Sequence, residues 1–160
     1  MLVDTSADLW TTMPGGTPTV YAASDGDDGN ARISPDGKWL AFRSTRTGRP
    51  AIYVDRFPAP TGEPIQVPGD GGSGPVWSHD GRELFFINGN RIWGAARQPA
   101  GTFSETRTIV DVPLPLADVE FDLAPDGRFL LAVRDRAAPR RSELLLTLNA
   151  DADLRRRATK

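Results

Sequence analysis

A four-residue turn motif recurs three times along this chain. It reads Ser-Pro-Asp-Gly at 34–37, Ser-His-Asp-Gly at 78–81 and Ala-Pro-Asp-Gly at 124–127, so its aspartates are spaced by 44 and then 46 residues. Proline presets φ at the second position of such a turn, and glycine accepts the positive φ that other residues resist. Since an apolar run follows each turn, the spacing predicts repeated hairpin-containing units of about 45 residues.

Short apolar runs between glycines and prolines surround each turn, and helical periodicity is nearly absent. The runs at 84–87 and 129–132 are apolar throughout instead of alternating, which indicates sheets covered on both faces. Four antiparallel strands per unit, in stacked sheets, predict propeller blades around a channel. The predicted fold class is therefore all-β, a partial β-propeller of about three and a half four-stranded antiparallel blades.

The predicted units are a half blade at 8–22, blades at 31–68, 75–111 and 118–149, and a charged C-terminal tail at 150–160. Closed propellers have about 4 to 8 blades, so this number cannot close a ring. We therefore expect the chain to be a fragment of a longer propeller. The alternative is an arc that self-associates through its open blade edges.

Aromatic residues recur at matching positions of the predicted third strands. Trp10, Tyr53 and Trp93 occupy these positions, with Leu145 as the fourth member. Such a repeated aromatic position is typical of inter-blade core, so these residues are predicted to pack between blades instead of binding a ligand.

Composition excludes several function classes. A net charge of −2 and a pI near 5.4 provide no general attraction for phosphate, so no nucleic-acid partner is expected. The chain has no cysteine, which excludes disulfides and thiolate chemistry. It contains neither a signal-peptide pattern nor an apolar run of about 20 residues, so no membrane insertion is expected within it.

Two short motifs invite a catalytic interpretation that their context does not support. The G-x-G-x-x-G pattern at 69–74 precedes a predicted strand, whereas nucleotide binding needs a helix there, so a link between blades is predicted. The segment 71–75 departs from a nucleophile elbow in its last residue, and His79, the only histidine, follows Ser73 too closely for a hydrolase triad. We predict no catalytic residue and an exposed His79.

The carboxylates at 25–30 are the candidate metal ligands. They lack the register and the downstream glutamate of a calcium loop, so a solvated loop is the preferred interpretation. The arginines at 155–157 are predicted to be a solvated end of the chain. No metal and no cofactor are predicted.

The segments 33–42 and 52–55 resemble the TolB-type (WD-like) β-propeller repeat. The order of 8–10, 34–37, 48–54 and 74–86 is more narrowly similar to the propeller at the C-terminal end of bacterial receptor-type serine/threonine kinases. The resemblance implies a non-catalytic binding or scaffold module of a larger bacterial, extracytoplasmic sensor. The chain itself carries no kinase motif.

The ligand implied by this resemblance is a protein or a small molecule of unknown identity. The rival hypothesis is an accessory propeller of a peptidase or hydrolase, because similar repeats occur beside such enzymes. Propellers tend to bind near their channel, so we predict binding residues on the first strands at Arg32, Trp77 and Glu120. Two departures from the resemblance are His79 in place of proline and Ala-Asp-Ala at 150–152 in place of bulky aromatics.

Overall fold

A computed structural model describes residues 7–112, 120–133 and 143–146, and in these residues the chain is all-β. No helix in these ranges could cross a membrane. Strands account for all of the regular structure. They are β1 (Leu9–Thr11), β2 (Thr19–Ala22), β3 (Asp28–Ile33), β4 (Trp39–Ser44), β5 (Ala51–Arg56), β6 (Ile65–Gln66), β7 (Ser73–Trp77), β8 (Glu83–Asn88), β9 (Arg91–Ala96), β10 (Arg107–Asp111), β11 (Glu120–Leu123), β12 (Phe129–Val133) and β13 (Glu143–Leu146).

The strands form four antiparallel sheets, each built from strands that follow one another in sequence. Sheet 1 is β1-β2, sheet 2 is β3-β4-β5-β6, sheet 3 is β7-β8-β9-β10 and sheet 4 is β11-β12-β13. Successive four-stranded meanders stacked face to face are the architecture of a propeller. The predicted fold class, an all-β partial propeller, is confirmed.

The repeated turns join the first and second strands of sheets 2, 3 and 4. In each turn the glycine N–H donates to the carbonyl oxygen of the first residue at 2.9 Å, and glycines 37, 81 and 127 all have positive φ. In the first turn the hydroxyl of Ser34 also donates to Asp36 Oδ1 at 2.5 Å and accepts from Trp39 N–H at 3.0 Å. The motif thus closes the hairpin by side-chain as well as backbone hydrogen bonds.

Neighbouring turns also touch one another, through the second position of the motif. A Cβ placed on Gly81 would lie 3.6 Å from Cδ of Pro35, so the proline of one turn packs against the next turn. His79, the exposed residue at the same position of the second turn, instead has its Nε2 at 2.9 Å from the carbonyl oxygen of Ala124. The histidine that departs from the repeat therefore links sheet 3 to sheet 4 by a hydrogen bond.

The core lies between the sheets, which explains the absence of a clean alternation along the strands. Along β4, Leu40 and Phe42 pack toward sheet 1, while Trp39 and Ala41 pack toward sheet 3. β8 likewise sends Phe86 toward sheet 2. Because successive side chains of a strand point to opposite faces, a strand buried between two sheets carries apolar side chains on both faces along its buried length.

The outer face of sheet 1 carries exposed apolar side chains. Trp10 is 60% exposed and lies opposite Val20, which is 49% exposed. The prediction that Trp10 is inter-blade core is wrong, because in the described part of the chain no sheet covers this face. Tyr53 is buried as predicted and Trp93 is partly buried, whereas the side chain of Leu145 lies outside the described residues.

The acidic segment 25–30 is only partly a solvated loop, which corrects the sequence-based interpretation. β3 begins at Asp28, and this side chain is buried. It accepts a hydrogen bond from Ser24 and pairs with Arg46 at 3.5 Å. Asp28 is buried because a cation and a hydroxyl from neighbouring segments compensate its charge. No cluster of metal-ligating side chains occurs among the described residues.

Candidate binding cleft

A cleft of about 410 Å³ lies between sheets 2 and 3, on the rim opposite the Asp-Gly turns. Antiparallel strands reverse direction at each turn, so the β4–β5 hairpin, the link from β6 to β7 and the β8–β9 hairpin share one rim. Residues from all three segments line the cleft, among them Arg49, Asp70 and Asn88. The cleft therefore exists only where two blades meet.

The link at 69–72 forms one wall of the cleft, and its glycines are needed for it to lie where it does. Gly72 N–H donates to the carbonyl oxygen of Pro50 at 3.2 Å. A Cβ on Gly72 would stand 2.7 Å from Cδ2 of Phe86 and 3.0 Å from Cγ1 of Ile52. Only a residue without a side chain can lie this close to the core between the two sheets.

The polar lining of the cleft consists of Arg43, Arg49, Asp70, Ser73 and Asn88. The side chains of these five residues form no hydrogen bond and no ion pair within the described part of the chain. Arginine stays charged at any relevant pH, so two cations and one carboxylate face the cleft. The lining of the cleft therefore has a net positive charge, although the net charge of the whole chain is −2.

Pro50 and Ile87 supply apolar lining beside these polar groups. Polar side chains outnumber apolar ones in this lining, by five to two. The cleft therefore presents polar side chains without partners next to a small apolar surface.

The cleft does not combine a serine with a histidine. Ser73 begins β7 at the cleft, whereas His79 follows the other end of that strand and bonds to Ala124 at the opposite rim. At about 3.3 Å per residue, six residues of extended chain separate the two by roughly 15–20 Å. The sequence-based rejection of a nucleophile at Ser73 with His79 as its base agrees with this geometry.

Two of the three residues predicted to bind near the channel, Arg32 and Trp77, do not line the cleft. Arg32 is exposed and its Nη1 donates to the carbonyl oxygen of Ala31 at 3.0 Å. Trp77 is buried in the core between sheets 2 and 3 and donates from Nε1 to the carbonyl oxygen of Arg32 at 3.1 Å. The side chain of Glu120 lies outside the described residues. Ligand binding by these three residues stays a prediction.

Sequence reasoning missed Arg43, Arg49 and Asn88 as candidate site residues. The glycine-rich segment 69–74 was the one available signal, and it is a link between sheets that leads into β7, as predicted. The backbone of this segment also lies close enough to the core to form a wall of the cleft. That position follows from the packing of two blades, and no local sequence pattern indicates it.

The conspicuous carboxylates of the turns lie on the rim opposite the cleft. A hydrogen bond from Ser34 lowers the pKa of Asp36, and one from Ser78 lowers the pKa of Asp80. In the third turn, where alanine replaces serine, Arg128 lowers the pKa of Asp126 from 2.6 Å. Each carboxylate is ionised and engaged in closing its own turn.

No family model and no curated protein matches the chain, but solved structures do. TolB from Acinetobacter baumannii is 25% identical, with a TM-score of 0.59 over 77% of this chain and 31% of that protein. A TolB-like protein of Agrobacterium tumefaciens is 23% identical, with a TM-score of 0.50 over 65% of this chain and 41% of that one.

The fold is that of a TolB-like β-propeller. A luciferin-regenerating enzyme has the same fold at 13% identity, with a TM-score of 0.50 over 82% of this chain and 50% of that enzyme. This chain thus spans half or less of the length of these three propellers. One scaffold therefore serves proteins of different function, and function must be argued from the site.

Proposed function

We propose that this chain is a non-catalytic β-propeller binding module that takes a protein segment into the cleft between sheets 2 and 3. The observation that carries this proposal is the convergence of unpaired polar side chains from three segments on one cleft of about 410 Å³. Loops held at the rim of a rigid scaffold are the usual place for recognition. In the wider setting, the module forms part of a larger extracytoplasmic sensor resembling receptor-kinase propellers.

Selection of peptides on the purified chain, followed by hydrogen exchange, tests the binding role. Peptides enriched from a random library are expected to protect the amides of 69–73 and 86–90. Protection confined to the Asp-Gly turns at 34–37 and 78–81 would contradict the proposed site. The failure of every selected peptide to protect any part of the chain would contradict the binding function itself.

The rival hypothesis, an accessory propeller of a peptidase or hydrolase, predicts a different gene arrangement. A G-x-S-x-G domain encoded in the same reading frame would support the rival. A kinase domain and a membrane helix encoded upstream would support the sensor proposal.

End-to-end association of two arcs is the second candidate role. It is favoured by apolar side chains on both end faces, with Trp10 and Val20 on sheet 1 and Leu130, 37% exposed, on sheet 4. Among the described residues, neighbouring sheets bury their facing apolar side chains against one another, so the two end sheets are the faces on which a second copy could stack.

A further inference from the structure

We infer that the cleft between sheets 2 and 3 recognises a single carboxylate carried on a short apolar body, as presented by a glutamate side chain in a peptide. This inference rests on the proposed binding function and specifies its ligand. It starts from Arg43 and Arg49, two arginines that line the cleft and whose side chains have no hydrogen bond or ion pair in the described residues. A guanidinium offers planar paired donors that match the two oxygens of a carboxylate.

The charge balance of the lining favours a carboxylate over a phosphate. Asp70 lines the same cleft as the two arginines, so the lining has one positive charge in excess. One carboxylate neutralises that excess, whereas a phosphate monoester, with a charge of about −1.5 to −2 at pH 7, would leave an uncompensated negative charge beside Asp70. The cleft therefore selects for a monoanion.

The remaining lining fits the rest of a glutamate residue. Pro50 and Ile87 provide apolar contact for the side-chain methylenes. Asn88 and Ser73 have unpaired side chains that can hydrogen-bond to a peptide backbone. The volume of about 410 Å³ falls in the range of small-ligand sites and accommodates one side chain with its adjacent backbone.

NMR titration of the whole chain tests this inference with defined probes. The probe is the terminally blocked peptide Gly-Leu-Glu-Leu-Gly, and its comparisons are the same peptide with glutamine, the same peptide with phosphoserine, and N-acetylglutamate amide. The glutamate peptide is expected to shift the amides of Gly71, Gly72 and Asn88. It should bind at least about tenfold more tightly than the glutamine and phosphoserine peptides, the loss expected for one charge-assisted hydrogen-bonded contact. Equal binding of N-acetylglutamate amide would contradict recognition of a peptide segment, because the flanking residues would then contribute nothing beyond the side-chain carboxylate.

Variants of the arginines decide whether the cleft is responsible. Arg43→Gln and Arg49→Gln are each expected to weaken the glutamate peptide several-fold, and Asp70→Asn should strengthen it. Arg82→Gln is the matched control, because the Arg82 side chain is 82% exposed on the opposite rim. It should leave binding within about twofold, because salt screens the charge of an exposed side chain on the other rim.

Three further outcomes would overturn the inference. Equal binding of the glutamine peptide, with the same amides shifted, would show that the cleft binds peptides without reading charge, and the proposed function would stand without its specificity. An equal loss in Arg82→Gln and Arg49→Gln would show general electrostatic attraction. If none of these probes shifts the cleft amides, the inference is wrong, and the selection from a random library decides separately whether the cleft binds another kind of segment.

Discussion

The indole Nε1 of Trp77 donates a hydrogen bond of 3.1 Å to the carbonyl oxygen of Arg32, and this bond joins the first strands of sheets 2 and 3. Trp77 is buried, and its ring packs against Phe103 at a centroid distance of 6.3 Å. Because Trp77 also belongs to a buried cluster that contains Trp39 and Ala41 of sheet 2, it links the two blades by apolar contact as well as by the hydrogen bond.

Replacing Trp77 by phenylalanine is expected to lower the free energy of unfolding by at least about 1–2 kcal/mol. The variant keeps an aromatic ring but leaves the Arg32 carbonyl without its partner. The control is Trp93→Phe, because the Nε1 of Trp93 donates at 3.3 Å to the carbonyl oxygen of Asn88 within the same sheet. Urea denaturation measures both variants, and a cost for Trp77→Phe no greater than that for Trp93→Phe would contradict the inter-sheet role of the bond.

Replacing Gly72 by alanine is expected to destabilise the chain by about 1–3 kcal/mol and to weaken peptide binding at the cleft. The new Cβ would stand 2.7 Å from Phe86, so the link must move away from the core. Gly29→Ala is the control, because no atom lies within 4 Å of its Cβ position. Thermal unfolding and the peptide titration together check this prediction, and equal effects of the two substitutions would contradict it.

Replacing Ser34 by alanine is expected to raise the pKa of Asp36 toward its ordinary value. A carboxylate whose pKa is lower in the folded state stabilises the fold above its unfolded pKa of about 3.9 and loses that contribution as the pH falls. The wild-type chain should therefore lose stability below about pH 4, and Ser34→Ala should lose less over the same interval.

Carboxyl titration by NMR measures these pKa values directly. Asp126 is the internal control, because Arg128 and not a serine hydroxyl lowers its pKa. An unchanged pKa of Asp36 in Ser34→Ala would show that the hydroxyl is not the dominant cause.

Replacing Trp10 by serine is expected to abolish association of the chain, if arcs pair through the outer face of sheet 1. Trp10 is 60% exposed and Val20 lies opposite it, so the substitution removes the largest part of this apolar surface. Light scattering should report a dimer or larger species for the wild type and a monomer for the variant. A wild-type monomer at tens of micromolar would exclude this role, and Met13→Ser, at an exposed residue outside the strands, is the control.

The repeat made the fold predictable because each Asp-Gly turn is a local device. Gly37, Gly81 and Gly127 all take positive φ at the same position of the turn, so the positions of three hairpins could be inferred from short segments alone. The burial of Asp28 could not be inferred, because it depends on Arg46 from the following hairpin. The exposure of Trp10 was missed because the repeat pattern does not show which blade faces are covered.

The sequence by itself determined the all-β class, the turns and the apolar strands, since these depend on backbone preferences and side-chain periodicity along a few residues. Only the tertiary structure decided which side chains meet between blades. Arg43 and Asn88 are 45 residues apart and share a cleft because the sheets that carry them are stacked, with Gly72 close to Ile52 of one sheet and Phe86 of the other. A contact across two sheets depends on the distance between their backbones, and no local pattern encodes that distance.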